Sequence, residues 1–125
     1  MLVSASFVRS IGLMEERYFL YFEELDWAVR AQGQFRLGFA PDSIVYHKEG
    51  GSIGTSATAG HSPFSLYYLS RNSLRFYRSY YPARLPVLAA YLVARALKFR
   101  LSGSKAHSFA IARALAGRPY RPTKP

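Results

Sequence analysis

Hydrophobic and polar positions alternate with several different periods along this chain, and each period predicts a different element. Residues 4–10 read as a short helix opening at Ser4 and ending near Gly12. The aromatic run Glu-Arg-Tyr-Phe-Leu-Tyr-Phe at 16–22 suits extended or turning backbone laid against a core. A helix is predicted over 22–32, with Glu23, Glu24 and Asp26 in its first turn and Gly33 closing it. Residues 35–40 and 43–47 carry strand-like composition around a Pro41-Asp42 turn. A glycine- and serine-rich loop, 48–62, follows, holding Gly50, Gly51, Gly54 and Gly60.

Helical periodicity resumes at Pro63. Leu66, Leu69, Phe76, Tyr77 and Tyr80 share one side, and Arg71, Arg75 and Arg78 recur at i, i+4 and i+7 on another. Pro82 and Pro86 bracket a break. Residues 86–101 then form a helix that is apolar over most of its circumference, with Arg84, Arg95 and Lys98 inside an arc of about 60°. Residues 84–101 are predicted to lie in a membrane interface, with Arg84, Arg95 and Lys98 reaching the headgroups and Leu85, Leu92, Val93 and Ala96 toward the acyl region. The same composition would also suit a core helix packed on another part of an enzyme. A further helix spans 105–115 and stops at Gly117, before a proline-punctuated tail. There is no internal repeat.

Composition narrows the possibilities. With 125 residues, half of them hydrophobic, the chain can bury a core and is not a disordered tail. The absence of cysteine excludes disulfides, thiolate metal sites and a thiol nucleophile. The longest uncharged apolar run, 85–94, falls well short of the roughly 18 residues of a spanning helix. The N-terminus shows no secretory signal pattern.

Charge is divided by position. All seven acids lie in residues 1–49 with five Lys and Arg, whereas residues 50–125 carry twelve Lys and Arg and no acid. Such a division points to an anionic partner for the second half: lipid headgroups, nucleic acid or a phosphorylated substrate.

Two stretches could carry chemistry. In Tyr21-Phe22-Glu23-Glu24-Leu25-Asp26-Trp27, an aromatic wall could hold one carboxylate partly desolvated as a general base. Glu24 and Asp26 lie about 200° apart on a helix, so one would face a site while the other makes a structural contact, with Arg30 in reach. The same acids also suit a helix N-terminus through the macrodipole alone. In Val45-Tyr46-His47-Lys48-Glu49-Gly50-Gly51-Ser52, a histidine opens into a Gly-Gly-Ser turn whose amides can approach an anion. His47 there is placed to ligate a metal or touch a phosphate, or simply to hydrogen-bond at a strand end.

Taken in order, the segments 13–31, 40–52 (Ala-Pro-Asp-Ser-Ile-Val-Tyr-His-Lys-Glu-Gly-Gly-Ser) and 66–76 (Leu-Tyr-Tyr-Leu-Ser-Arg-Asn-Ser-Leu-Arg-Phe) resemble the C-terminal half of a family 2 glycosyltransferase. The nearest likeness is to rhamnosyltransferase-like enzymes of bacterial cell-surface polysaccharide synthesis, and it covers residues 1–82. The resemblance implies an α/β fold, the C-terminal half of the GT-A type, followed by amphipathic helices from residue 83. It implies inverting transfer from a nucleotide-sugar donor to a hydroxyl of a glycan or lipid-linked acceptor. Glu24 matches the catalytic base, where the family usually has Asp, and Asp26 matches a positioning acid. His47 matches the ligand completing Mn²⁺ or Mg²⁺ coordination on the donor diphosphate. Gly50, Gly51, Ser52, Arg71 and Asn72 match donor-side positions.

The family's Asp-x-Asp motif has no counterpart, since Asp26 and Asp42 are the only aspartates. The chain is thus expected to be a truncated product, a fragment or one piece of a split enzyme, binding no metal tightly by itself. The expected location is cytoplasmic, at the inner face of the cell membrane. Two non-catalytic alternatives fit the basic half: a nucleic-acid-binding module using Arg71, Arg75 and Arg78, and a peripheral membrane module.

Overall fold

The structure, a computed structural model, describes residues 2–46 and 60–122. It divides into two compact units, Met1–His47 and Lys48–Pro125. Among the described residues there are five α-helices and no β-strand. The expected α/β architecture, half of a GT-A fold, is therefore corrected: what is described is helical in both units.

In the first unit, α1 (Ala5–Ile11) starts where the Ser4 side chain accepts the Phe7 amide and ends at Gly12, whose φ is 83°. A single 3₁₀ turn, Glu16–Tyr18, leads into α2 (Glu23–Ala31). Between them Phe19, Tyr21 and Phe22 take φ values of 63°, 65° and 73°. Positive φ in aromatic residues costs about 1–3 kcal/mol each and persists only where the surroundings fix it. Here Phe22 is the N-cap of α2 and supplies no side-chain hydrogen bond. The three acids of the first turn instead complement the positive end of the helix.

Trp27 joins the two helices. Its indole N–H donates to the Gly12 carbonyl at 2.9 Å, and its ring meets that of Phe7 at a right angle with centroids 4.9 Å apart. Phe35 packs on Phe7 at the same separation. Residues 35–40 and 43–46, expected as strands, are not strands. The turn between them is present, with Ser43 N donating to Ala40 O at 3.1 Å, but Leu37, Phe39, Ile44, Val45 and Tyr46 stand exposed. β-formers become a strand only when a neighbouring strand completes the ladder, and the described residues supply none.

The second unit is a three-helix assembly. Ser62 caps α3 (Pro63–Tyr80), accepting from the Ser65 amide, with Pro63 in the first turn. The short 3₁₀ turn Pro82–Arg84 passes into α4 (Leu85–Leu101), and Gly103, at φ 81°, turns the chain into α5 (Lys105–Leu115). Leu66, Leu92, Ala96 and Ile111 form the core, with Leu74, Leu88, Phe99 and Leu115 against it. A second cluster, Tyr67, Ala110 and Ala114, takes Tyr68 and Tyr120. The tail is strapped down by Tyr67 Oη donating to Arg118 O at 2.9 Å and Arg113 Nε donating to Pro119 O at 2.6 Å. The helices on both sides of residue 82 thus belong to one packed unit, so the change in sequence character there is not a gap in packing.

Leu92 and Ala96, predicted to face lipid, are in this core. A helix apolar all round carries no periodic signal for which side is inward. No described helix is long and apolar enough to cross a membrane.

Candidate functional site

The candidate catalytic acids all come from the first turns of α2, and the helix separates them. Asp26 is buried, 6% exposed. Its Oδ2 accepts from Arg30 Nε at 2.9 Å, one turn on, and its Oδ1 receives the buried Tyr18 hydroxyl across a longer 3.4 Å. Arg30 spends its other nitrogens on the end of α1: Nη1 donates to Ile11 O at 2.6 Å and Nη2 to Leu13 O at 2.8 Å. Asp26 and Arg30 therefore form a clasp that fixes α2 against the segment leaving α1. A guanidinium suits this role because its planar fork can serve a carboxylate and two carbonyls at once.

Glu24, on another side of α2, is exposed and makes no hydrogen bond or ion pair among the described residues. The desolvated carboxylate expected in this stretch is thus Asp26, not Glu24. Glu23 is half-buried, and its Oε2 is buried without a hydrogen bond from the described residues. Nearby, Glu15 accepts from the Arg17 amide and guanidinium, and this hydrogen bond and charge raise the Arg17 pKa above its ordinary value.

Of the donor-side candidates, Arg71 and Asn72 lie among the described residues. Arg71 is half-buried on α3, with its guanidinium 6.0 Å from the Tyr68 ring centroid. Asn72, the next residue, is fully buried within the three-helix unit and presents no surface to a ligand. His47, Gly50, Gly51 and Ser52 lie outside the described residues. Among the described residues no group of three His, Asp or Glu could hold a metal ion. Hard divalent cations need several oxygen ligands, and the described carboxylates do not assemble them. The described donor set does not fit Mn²⁺ or Mg²⁺, and no catalytic step is assigned to a cation here.

Two features of the site escape sequence reasoning. The carbonyl contacts of Arg30 depend on where α1 ends relative to α2, and the positive-φ series depends on packing around residues 19–22. Only the i, i+4 spacing of Asp26 and Arg30 signals the clasp in advance.

No family model, curated protein or solved structure matches the chain.

Proposed function

We propose that this chain supplies the base-bearing, acceptor-side part of an inverting glycosyltransferase that uses a nucleotide-sugar donor in cell-surface polysaccharide synthesis. The observation that carries the reading is the division of labour on α2. Asp26 is consumed by Arg30 and Tyr18, which fixes the start of the helix, while the Glu24 carboxylate two residues earlier is exposed. The order of the three motif segments along the sequence supports it further.

In the proposed reaction Glu24 accepts the proton of the acceptor hydroxyl as that oxygen attacks the anomeric carbon. The bond from the anomeric carbon to the donor diphosphate breaks in line, and the diphosphate leaves with the electron pair. An extended Glu side chain reaches one methylene farther than Asp, so the acceptor oxygen is placed correspondingly farther from the α2 backbone. Because the sequence contains no Asp-x-Asp pair, the nucleotide and its Mn²⁺ or Mg²⁺ are assigned to a separate polypeptide segment.

The test is transfer of labelled sugar from nucleotide-sugars to glycan or lipid-linked acceptors, with the chain in its native complex. Glu24→Gln should lower kcat by on the order of 10²–10⁴, and Glu24→Asp should keep part of the activity. Wild-type turnover by Glu24→Gln would overturn the assignment.

A further inference from the structure

The outward face of α4 has chemistry that the proposed transfer reaction leaves unused. The core takes Leu92 and Ala96, with Leu88 and Phe99 packed against them. The opposite side should be polar on an ordinary surface helix, but here Lys98 is its one charged residue. Val87 is 72% exposed, Tyr91 57%, Val93 47%, Leu97 57% and Leu101 87%. At 100° per residue these five fall within an arc of about 160° centred opposite Leu92. Contiguous apolar surface of this kind marks an interaction site.

The charges around that face indicate its occupant. Exposed Lys98 lies inside this arc near one edge, between Val87 and Tyr91, exposed Arg100 lies just beyond the other edge, and exposed Arg84 stands at the start of the helix. No acid occurs anywhere in residues 50–125 to balance them. The same α4 face of a second copy would bring like charges together without compensation. Nucleic acid would satisfy the charges but leave the aliphatic side chains against water. An anionic lipid surface satisfies both, because acyl chains receive the aliphatic arc while long basic side chains reach back to the headgroups. Seventeen residues make a helix about 26 Å long, enough to lie along the interface. Tyr91, on the flank, has the amphipathic ring favoured at headgroup depth.

We infer that α4 docks the chain flat on an anionic membrane surface through Val87, Tyr91, Val93, Leu97 and Leu101, with Arg84, Lys98 and Arg100 at the headgroups. This attachment does not rest on the glycosyl-transfer reading.

The experiment is flotation of the full chain with phosphatidylcholine vesicles, with and without about one-third phosphatidylglycerol. Binding should appear with the anionic lipid and decline as salt is raised. Replacing Arg84, Lys98 and Arg100 together by Gln should weaken anionic-vesicle binding by about fivefold per charge, on the order of 10² in all. The pair Leu97→Glu and Leu101→Glu should abolish binding while helix content and Tm stay unchanged, because both side chains are exposed. Val87→Ser with Tyr91→Ser provides a second, uncharged variant that should weaken binding without unfolding the unit. Equal binding to neutral and anionic vesicles, binding to neither, or undiminished binding by these variants would overturn the inference. So would a dimer, seen by sedimentation without lipid, that Leu97→Glu dissociates.

Discussion

The carboxylate of Asp26 takes its proton donors from inside the fold, Arg30 Nε at 2.9 Å and the more distant Tyr18 hydroxyl. Removing its charge leaves a partly buried guanidinium with two carbonyls and no anion. Asp26→Asn should therefore cost about 1–3 kcal/mol, discounted for the partial exposure of Arg30. Trp27 is the single tryptophan and touches this clasp's helix, so its fluorescence reports the loss as a lower unfolding midpoint. Glu24→Gln, on an exposed carboxylate without partners among the described residues, should stay within about 0.5 kcal/mol of the wild type in the same measurement. The two acids are indistinguishable as letters in a run of Glu and Asp. Their separation around α2 and the i, i+4 spacing to Arg30 are legible in the sequence, and so is the requirement that they do different work. The assignment of burial is not, because it depends on the Ile11 and Leu13 carbonyls and on the positive-φ series Phe19, Tyr21 and Phe22.

Elements bounded by local chemistry are legible where their caps are. Ser4, Gly12, Pro63 and Gly117 mark helix ends that depend on a side-chain acceptor, a fixed φ or a positive φ, and these travel with the residue type, whereas the Ser62 cap and the Gly103 turn emerge only in the structure. Residues 35–46 are misread because strand composition describes a surface waiting for a partner, and a ladder is a tertiary fact. The inward side of α4 is hidden for a related reason: an almost uniform apolar circumference contains no phase. Substitution separates its two faces. Leu92→Ala, in the core at 3% exposure, should cost about 2–5 kcal/mol. Leu97→Ala, five residues on, should change stability by less than about 0.5 kcal/mol. Comparable losses at both positions in thermal or urea unfolding would contradict the described packing of α3, α4 and α5.

Across the whole chain, charge and chemistry are divided by position: acids and the candidate base before residue 50, unbalanced cations after it. That division is legible from composition alone, whereas the helical architecture corrects an α/β expectation that came from family resemblance. The candidate metal ligand falls on the acidic side of this division. His47 is one imidazole without an Asp-x-Asp partner in the sequence, so Mn²⁺ at sub-millimolar concentration should leave the Tm of this chain unmoved. A saturable rise in Tm that His47→Ala removes would show a more complete site than the sequence provides. The central claim, that this chain contributes the base of a sugar transfer, is tested most directly by add-back. Extract from cells lacking the chain is given nucleotide-sugar donors and acceptor, and glycoside formation is measured. Wild-type chain should restore transfer with inverted anomeric configuration, and Glu24→Gln should not. Transfer that is unaffected by loss of the chain, or restored equally by Glu24→Gln, would contradict it.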